Sequence, residues 1–453
     1  MRKLSLHKDV NMTEGVIWKQ LLWFALPLLV GNLFQQLYNT VDSIVVGNFV
    51  GKEALAAVGS SDSIINTLIG FFSGMATGAG VVISQYFGAR DDENVQTAVH
   101  TTIALTFVLS VVFTILGVVL VQPMLHLMGT PDDVMPEATT YLTIYFAGVS
   151  GLMFYNMGAG ILRAVGDSRR PLYFLIVSAI MNIVLDLVFV VVFHWGVAGV
   201  AYATIISQFA SAILTMWTLT RETASYKIIW RRVRLTSWML GKIVKIGLPS
   251  ALQMAITAFS NVFVQSYINE FGSSCMAGWS SYGKIDKFCM LPIQSVSLSI
   301  TTFVGQNLGA NQVERAKKGS TVAFIMSLIM TVIIMIPIMI FATPLVALFN
   351  QEPEVLDYGT LFLRMMMPFF LCQCANQVYA GSLRGVGNTK APMIIMMSCF
   401  IVFRQIYLFI ISRLTESVIW VALGYPFGWI LCSVIIYIYY KRCDLKKYRV
   451  VAK

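Results

Sequence analysis

Long apolar runs are the feature of this sequence that most restricts its fold. Each run is about as long as the ~20 residues that a helix needs to cross the ~30 Å hydrocarbon core of a bilayer. The runs do not alternate between apolar and polar residues, as the strands of a membrane barrel do. We therefore predict twelve membrane-spanning helices, near residues 17–46, 62–86, 98–121, 139–162, 171–193, 197–219, 243–270, 278–304, 319–343, 358–383, 391–412 and 416–440.

The composition excludes a soluble enzyme of this length. Of the 453 residues, 57% are hydrophobic and only 12% are charged, whereas soluble domains carry about 25% charged residues. The seven cysteines are an odd number and lie mostly in or beside apolar runs, so they indicate neither a disulfide framework nor a zinc site. The net charge of +10 fits basic loops on one side of a membrane better than nucleic-acid binding.

The distribution of basic residues predicts the orientation in the membrane. If the chain starts on the cytoplasmic side, 26 of the 32 Lys and Arg residues fall in cytoplasmic segments and four lie within spans. Only Lys52 and Arg413 fall in outer loops. Cytoplasmic loops are enriched in Lys and Arg, so we expect a multi-pass protein of the cytoplasmic membrane with both termini inside. The polar start of the chain shows no cleavable signal pattern.

The sequence repeats itself once. Residues 162–171 read LRAVGDSRRP and residues 383–392 read LRGVGNTKAP, an offset of 221. SQYFGAR at 84–90 and GQNLGAN at 305–311 have the same offset. Because each half holds an even number of spans, both halves insert the same way up and form a parallel repeat. The predicted fold is an all-α membrane protein with two pseudo-symmetric six-helix lobes.

This repeat divides the chain into three parts. We expect an N-lobe with helices 1–6 at residues 1–219, a cytoplasmic linker at 220–242, and a C-lobe with helices 7–12 and a basic tail at 243–453. The linker reads RETASYKIIWRRVRLTSWMLGK, in which basic residues alternate with Trp and Ile. Such a segment is typical of a helix lying on anionic lipid, and a plain solvated loop is the open alternative.

No motif supplies chemical energy or enzyme catalysis. The segment from Gly278 to Lys284 resembles a phosphate-binding loop, but Ile285 replaces the required Ser or Thr and no strand precedes it. None of the four histidines is paired at metal-ligand spacing, and no nucleophile-elbow pattern occurs. Two facing repeats suit a secondary transporter with alternating access. We therefore predict a transporter without a cofactor, driven by an ion gradient, and not an enzyme.

Two acidic residues lie inside predicted spans of the first half, where a charge costs about 3 kcal/mol on insertion scales. Asp42 lies in the outer third of the first span. Asp186 lies about 22 Å from the start of the fifth span at 1.5 Å per residue, also in the outer half. Asn182 is four residues before Asp186 and shares its helix face, and Thr204 of the sixth span lies at a similar depth.

These four residues offer only oxygen ligands. Such a set can hold a small hard cation such as Na⁺, or the two acids can share a proton, because burial and mutual repulsion disfavour two negative charges. We predict a cation- or proton-coupling site at Asp42, Asn182, Asp186 and Thr204, which is a metal site only if Na⁺ is the coupling ion. The alternative is that each acid makes only a structural contact.

The second half lacks these acids, since at the repeat offset Asp42 aligns with Phe263 and Asp186 with Tyr407. Coupling is therefore predicted in the first half. Other polar residues inside spans are candidates for lining the substrate cavity: Gln35, Tyr38, Asn39, Gln253, Asn261, Gln265, Asp286 and Arg404. Helix–helix hydrogen bonds, or a structural salt bridge for the two charged residues, are the alternatives.

These segments together resemble the multidrug and toxic compound extrusion (MATE) family. The resemblance covers nearly the whole chain and includes LPLLVGNLFQQLYNTVDSIVVG at 26–47 and the four repeat segments above. MNIVLD at 181–186 and VAYATI at 200–205 are similar to the DinF-like branch of that family.

The resemblance implies export of organic, often cationic, compounds or amphipathic drugs in exchange for H⁺ or Na⁺ by a monomer in contact with lipid. It also implies that Asp42, Asn182, Asp186 and Thr204 form the cation or proton site. The NorM branch places acids in helices 7 and 10, and this sequence has none at the matching depths.

Three rival functions stay open from the sequence. A flippase for a lipid-linked or amphipathic substrate of the same superfamily is disfavoured by twelve spans and an acidic first lobe, and weakly favoured by Arg404. A membrane-embedded enzyme would need a catalytic His/Asp or metal cluster. An ion channel would lack saturable exchange of ion for substrate.

Overall fold

The computed structural model describes residues 11–415 and 417–451. Within these ranges the side chains at 39, 43, 52, 53, 55, 60, 63, 258–263 and 266 are not described. The side chains of the predicted cavity residues Asn39 and Asn261 therefore lie outside the described residues. The described elements are helices joined by turns, and no strand occurs in these two ranges.

The first half of the chain forms seven α-helices and one π-helical segment. They are α1 (Ile17–Phe49), α2 (Lys52–Gly88), α3 (Asp92–Leu127), α4 (Met135–Ala147), α5 (Val149–Ala164), α6 (Arg169–Asp186) with the π-helix Leu187–Val192, and α7 (Gly196–Arg221). The second half has the same plan with more interruptions. Its helices are α8 (Ser237–Asn269), α9 (Ser273–Gly309), α10 (Val313–Ile340), α11 (Ala342–Ala347), α12 (Pro353–Met366), α13 (Phe370–Val386), α14 (Lys390–Met397) with the π-helix Ser398–Phe403, α15 (Arg404–Leu414), α16 (Val418–Ala422) and α17 (Gly424–Arg442).

Eleven helices in the described part of the chain are long and apolar enough to cross a membrane. The predicted fourth span is not among them because it is broken at Gly148 into α4 and α5, neither of which reaches 18 residues. A Cβ at Gly148 would lie 2.5 Å from Cγ2 of Ile205, so the glycine lets α7 pack against the break. The prediction of an all-helical membrane fold is confirmed, whereas the cytoplasmic placement of the termini stays a prediction.

The described helices form two compact units. Of the described residues, one unit comprises Asn11 and Val30–Ala251, and the other comprises Met12–Leu29 and those from Leu252 onward. The beginning of α1 therefore belongs to the unit built from the second half, and the beginning of α8 belongs to the unit built from the first half. The predicted lobe boundaries at 219 and 243 stay predictions.

In the first unit, α8 begins against a stripe of small residues on α2. A Cβ on Gly78 would lie 2.2 Å from the Cα of Gly247, and a Cβ on Gly74 would lie 2.3 Å from the backbone nitrogen of Ala251. Both helices thus present small residues at a spacing of four, which allows close backbone contact between membrane helices.

The second unit uses serines at the equivalent positions. Ser295 and Ser299 of α9 are fully buried, and the Ser299 hydroxyl donates to the carbonyl oxygen of Leu21 at 3.1 Å. The segment before α1 is fixed in the same unit, because the Met12 N–H donates to Gln306 Oε1 at 3.2 Å. Asn307 Nδ2 in turn donates to the Met12 carbonyl at 3.1 Å.

The linker is irregular over residues 222–236, apart from a 3₁₀ turn at Trp230–Arg232. The helical alternative for this segment is therefore wrong. Its backbone bonds to other elements instead, since the Ile228 N–H donates to the Leu219 carbonyl at 2.9 Å. Arg170 forms ion pairs with Asp167 and Glu222, which ties the start of the linker to α6.

Replacing Gly78 with leucine should destabilise the first unit, because the side chain would occupy space now filled by the backbone of α8. Overpacking of this kind costs about 1–3 kcal/mol. Thermal unfolding of the purified protein in detergent measures the effect. Gly59→Leu on the same helix is the control, since a Cβ at Gly59 meets nothing within 4 Å. Equal melting temperatures for the two variants would contradict the close α2–α8 contact.

Candidate functional site

The structure brings the two predicted acids together inside the first unit. Asp42 of α1 is 8% exposed and Asp186 at the end of α6 is fully buried. Their carboxyl groups lie within interaction range of each other. The side chains of Asp42 and Asp186 interact with each other, and neither oxygen of Asp186 nor Oδ1 of Asp42 has a hydrogen-bond partner outside this pair. The carboxyl oxygens of this pair can therefore accept a hydrogen bond or coordinate a cation.

Asn182 of α6 and Thr204 of α7 carry neutral side-chain oxygens that could serve as further ligands. Asn182 lies one turn before Asp186 on α6, is 2% exposed, and has no partner for either its amide nitrogen or its oxygen. Thr204 of α7 is also buried, and its hydroxyl donates to the Val200 carbonyl at 3.0 Å. Its oxygen can still accept or coordinate. α6 packs against α7, so the two elements are neighbours.

A π-helical segment follows Asp186 directly. It covers Leu187–Val192, and the Phe193 N–H donates to the Val188 carbonyl at 3.0 Å, which is the i→i+5 pattern. π-helical turns are rare and frequently occur at functional sites. Asp186 is the last residue of α6 and is buried, whereas Leu187, the first residue of the π-helix, is exposed.

Two stacked tyrosines of α4, one of them within range of the acid pair, were not predicted. Tyr141 and Tyr145 of α4 are buried, and their rings stack with centroids 6.3 Å apart. Tyr141 lies within electrostatic range of both Asp42 and Asp186, and Gln208 Nε2 donates to the Tyr145 hydroxyl at 3.4 Å. Their spacing of four residues within a predicted span was a usable signal, because it places both rings on one helix face.

A third acid, Asp62 of α2, lies within electrostatic range of Asp42 and is exposed. Asp62 was not predicted as a site residue. It is the first residue of the predicted second span, a position where an acid usually belongs to the preceding loop. Of the predicted cavity residues in this unit, Tyr38 interacts with Gln35 and also lies within range of Asp42. Both are half-buried.

The second unit contains a different polar cluster. The Tyr282 hydroxyl donates to Asp286 Oδ1 at 3.0 Å, and the Arg404 guanidinium lies 4.4 Å from the ring centroid of Tyr425. Asp286 and Arg404 both act electrostatically on Tyr425. Trp279 packs beside Tyr282, with ring centroids 5.0 Å apart. The structure thus brings these two predicted charged residues to one aromatic cluster.

The glutamines of α8 make ordinary packing contacts. Gln253 is buried, and its Nε2 donates to the Met396 sulfur at 3.0 Å. Gln265 Nε2 donates to Asn269 Oδ1 at 2.8 Å on the same helix. Their predicted role in lining a cavity stays a prediction.

The chemistry of the first-unit site can be stated from its ligands. No group of three or more His, Cys, Asp or Glu side chains in the described residues could hold a metal ion. Two carboxylates with an amide and a hydroxyl are oxygen donors of the kind that hard cations prefer. The site suits a proton or a weakly held monovalent cation.

Comparison with known proteins gives the family. The sequence model of the MatE family matches the chain twice, over residues 27–188 and 249–410, which reproduces the internal repeat. The probable multidrug resistance protein YoeA of Bacillus subtilis is 28% identical over 95% of this chain and 95% of its own length. YpnP of the same organism, also named a probable multidrug resistance protein, is 28% identical over 97% and 99%.

A solved structure of a MATE family transporter in an outward-facing conformation has the same fold. It is 24% identical, covers 98% of this chain and 99% of its own, and superposes with a TM-score of 0.90. The two matches to the MatE model together span well over half of the sequence. This chain belongs to the MatE family, the multidrug and toxic compound extrusion transporters.

Proposed function

We propose that this protein is a secondary active efflux antiporter that exports organic cations in exchange for H⁺ or Na⁺, coupled at Asp42 and Asp186. The observation that carries the proposal is the adjacency of two buried carboxyl groups with unpartnered oxygens. The names of YoeA and YpnP as multidrug resistance proteins support the substrate class.

Coupling follows from the electrostatics of the acid pair. Two negative charges in a medium of low dielectric repel each other and are poorly solvated, so the empty site attracts a cation. One proton or Na⁺ removes one of the two negative charges, and the attraction of the site for an organic cation in the same unit then becomes weaker. Binding of the driving ion thus weakens binding of the substrate, and binding of the substrate weakens binding of the ion. Exchange requires this negative coupling.

The aromatic surface beside the acids suits a cationic substrate. The stacked rings of Tyr141 and Tyr145 are buried in this structure. In a conformation that opens this region, a cation within about 6 Å of a ring face would be attracted by about 0.5–2 kcal/mol. Because these rings tolerate many shapes, the attraction fits a transporter of varied organic cations. Thr204 and Asn182 would complete the ligand set of the driving ion.

Replacing Asp42 with asparagine should abolish ion-driven export without unfolding the protein. Losing one charged ligand costs about 1.5–3 kcal/mol, so we expect exchange to fall by about tenfold or more. Ethidium movement in reconstituted vesicles under an imposed ion gradient measures it. Asp132→Asn is the isosteric control, because Asp132 is an exposed residue of the same unit. Full exchange activity in both Asp42→Asn and Asp186→Asn would overturn the coupling site.

The coupling ion is identified by applying each gradient alone. Ethidium export driven by a pH gradient without Na⁺ assigns H⁺, and export driven by a Na⁺ gradient at equal pH assigns Na⁺. In the second case Na⁺ should also raise the melting temperature of the wild type and not that of Asp186→Asn, since ligands stabilise the state they bind. Export that responds to neither gradient would contradict antiport.

A flippase for an amphipathic, phosphate-bearing substrate is the second candidate, favoured by the buried Arg404 stacked on Tyr425. A flippase would move a fluorescent phospholipid analogue between leaflets without an ion gradient. That activity should be lost in Arg404→Gln and kept in Asp42→Asn. The antiporter gives the opposite pattern for Asp42→Asn, so one set of vesicles separates the two functions.

A further inference from the structure

The segment that joins the two repeats is strongly and one-sidedly basic. From residue 221 to residue 245 it contains seven Lys and Arg residues and a single acid, Glu222. Glu222 is already paired with Arg170. The basic residues are Arg221, Lys227, Arg231, Arg232, Arg234, Lys242 and Lys245. A surface with this balance attracts anions.

The segment is fixed to the first unit although it is not helical. Tyr226 and Ile228 are buried, at 1% and 0% exposure. The Ile229 N–H donates to Nε2 of His100 on α3 at 2.9 Å, and Arg170 Nη2 donates to the Tyr226 hydroxyl at 3.2 Å. The backbone that carries the outward side chains is therefore anchored, which lowers the entropy lost when the segment binds a partner.

The linker contacts α3 both near its polar start and beside its apolar part. Arg232 donates to Gln96 Oε1 at 2.9 Å, and the Trp230 ring lies 6.5 Å from the ring of Phe107. Gln96, His100 and Phe107 lie on one face of α3, and Gln96 and Phe107 are about 16 Å apart at 1.5 Å per residue. Arg232 thus lies near the charged start of α3, and Trp230 lies beside its lipid-facing apolar part.

Apolar side chains point outward among these charges. Trp230 is 46% exposed, Leu235 is 45% exposed and Trp238 is 50% exposed. Lys242 Nζ lies 5.1 Å from the Trp238 ring centroid. A solvated loop would expose polar residues, whereas tryptophan beside basic residues is typical of the membrane–water interface. This pattern disfavours the solvated-loop alternative.

We propose that this linker face, defined by Trp230, Arg231, Arg234, Leu235 and Trp238, binds anionic phospholipid of the adjacent leaflet. The arginines contact the phosphates, and the indole rings and Leu235 enter the upper acyl region. Positive-inside counting predicts that this leaflet is the cytoplasmic one, whose anionic lipids attract basic segments close to the membrane. The proposal is independent of the transported substrate and of the coupling ion.

The test uses the full chain, extracted in mild neutral detergent from vesicles with equal phosphatidylglycerol and phosphatidylcholine. Native mass spectrometry then counts each lipid retained per protein. The wild type should retain phosphatidylglycerol in excess. One basic residue near an anionic surface is worth about fivefold in affinity, so Arg231→Gln/Arg234→Gln should lower the ratio of the two lipids by at least about fivefold. Arg232 is left unchanged because it bonds to Gln96.

The control variant is Lys446→Gln/Lys447→Gln, which removes two exposed charges from the C-terminal tail and should leave the lipid ratio unchanged. Equal melting temperatures show that each variant folds. Arg231→Lys/Arg234→Lys preserves the charge and should keep the preference. Equal loss in the tail variant, or no loss in the linker variant, would overturn the site.

Trp238→Ala separates a lipid from a soluble anion, because it keeps every charge of the linker face. It should weaken retention of phosphatidylglycerol, and inorganic phosphate at millimolar concentration should not displace the lipid from the wild type. Displacement by phosphate together with full retention in Trp238→Ala would show a soluble-anion site and contradict the proposal.

Discussion

Close contact between helix backbones is the constraint on which this structure depends. Lipid tails are as apolar as leucine, so membrane helices gain little from hydrophobic burial and associate through van der Waals packing and hydrogen bonds. Gly74 and Gly78 provide this contact with α8 in the first unit. Ser299 provides it in the second unit through its bond to Leu21. Small residues at equivalent places in the two repeats therefore hold the beginning of α8 in the first unit and the beginning of α1 in the second.

The acid pair depends on the same packing. Two carboxyl groups stay together in an apolar unit only if the surrounding helices hold them there, because their repulsion favours separation. Asp42 and Asp186 come from α1 and α6, and the buried Tyr141 of α4 lies within electrostatic range of both. Helix packing thus keeps two mutually repelling carboxyl groups adjacent, and the coupling that we propose depends on this placement.

Much of this organisation was predictable from the sequence, for reasons that differ between features. Span length and the offset of 221 fixed the helical repeat, since both are properties of the chain itself. The nearness of Asp42 to Asp186 followed from depth alone. The break at Gly148 did not, because it depends on Ile205 of another helix. The docking of the linker also depends on tertiary partners such as His100, which no local pattern reveals.

The two π-helical segments show that the repeats differ in detail although they share a plan. In the first repeat the acid Asp186 immediately precedes the π-helix, and in the second repeat the base Arg404 immediately follows it. At the repeat offset of 221 the two π-helices do not align, since Leu187–Val192 would fall on 408–413 and the second π-helix covers Ser398–Phe403. The two halves therefore share a plan of helices but place their helical irregularities and their buried ionisable side chains differently, an acid in one half and a base in the other.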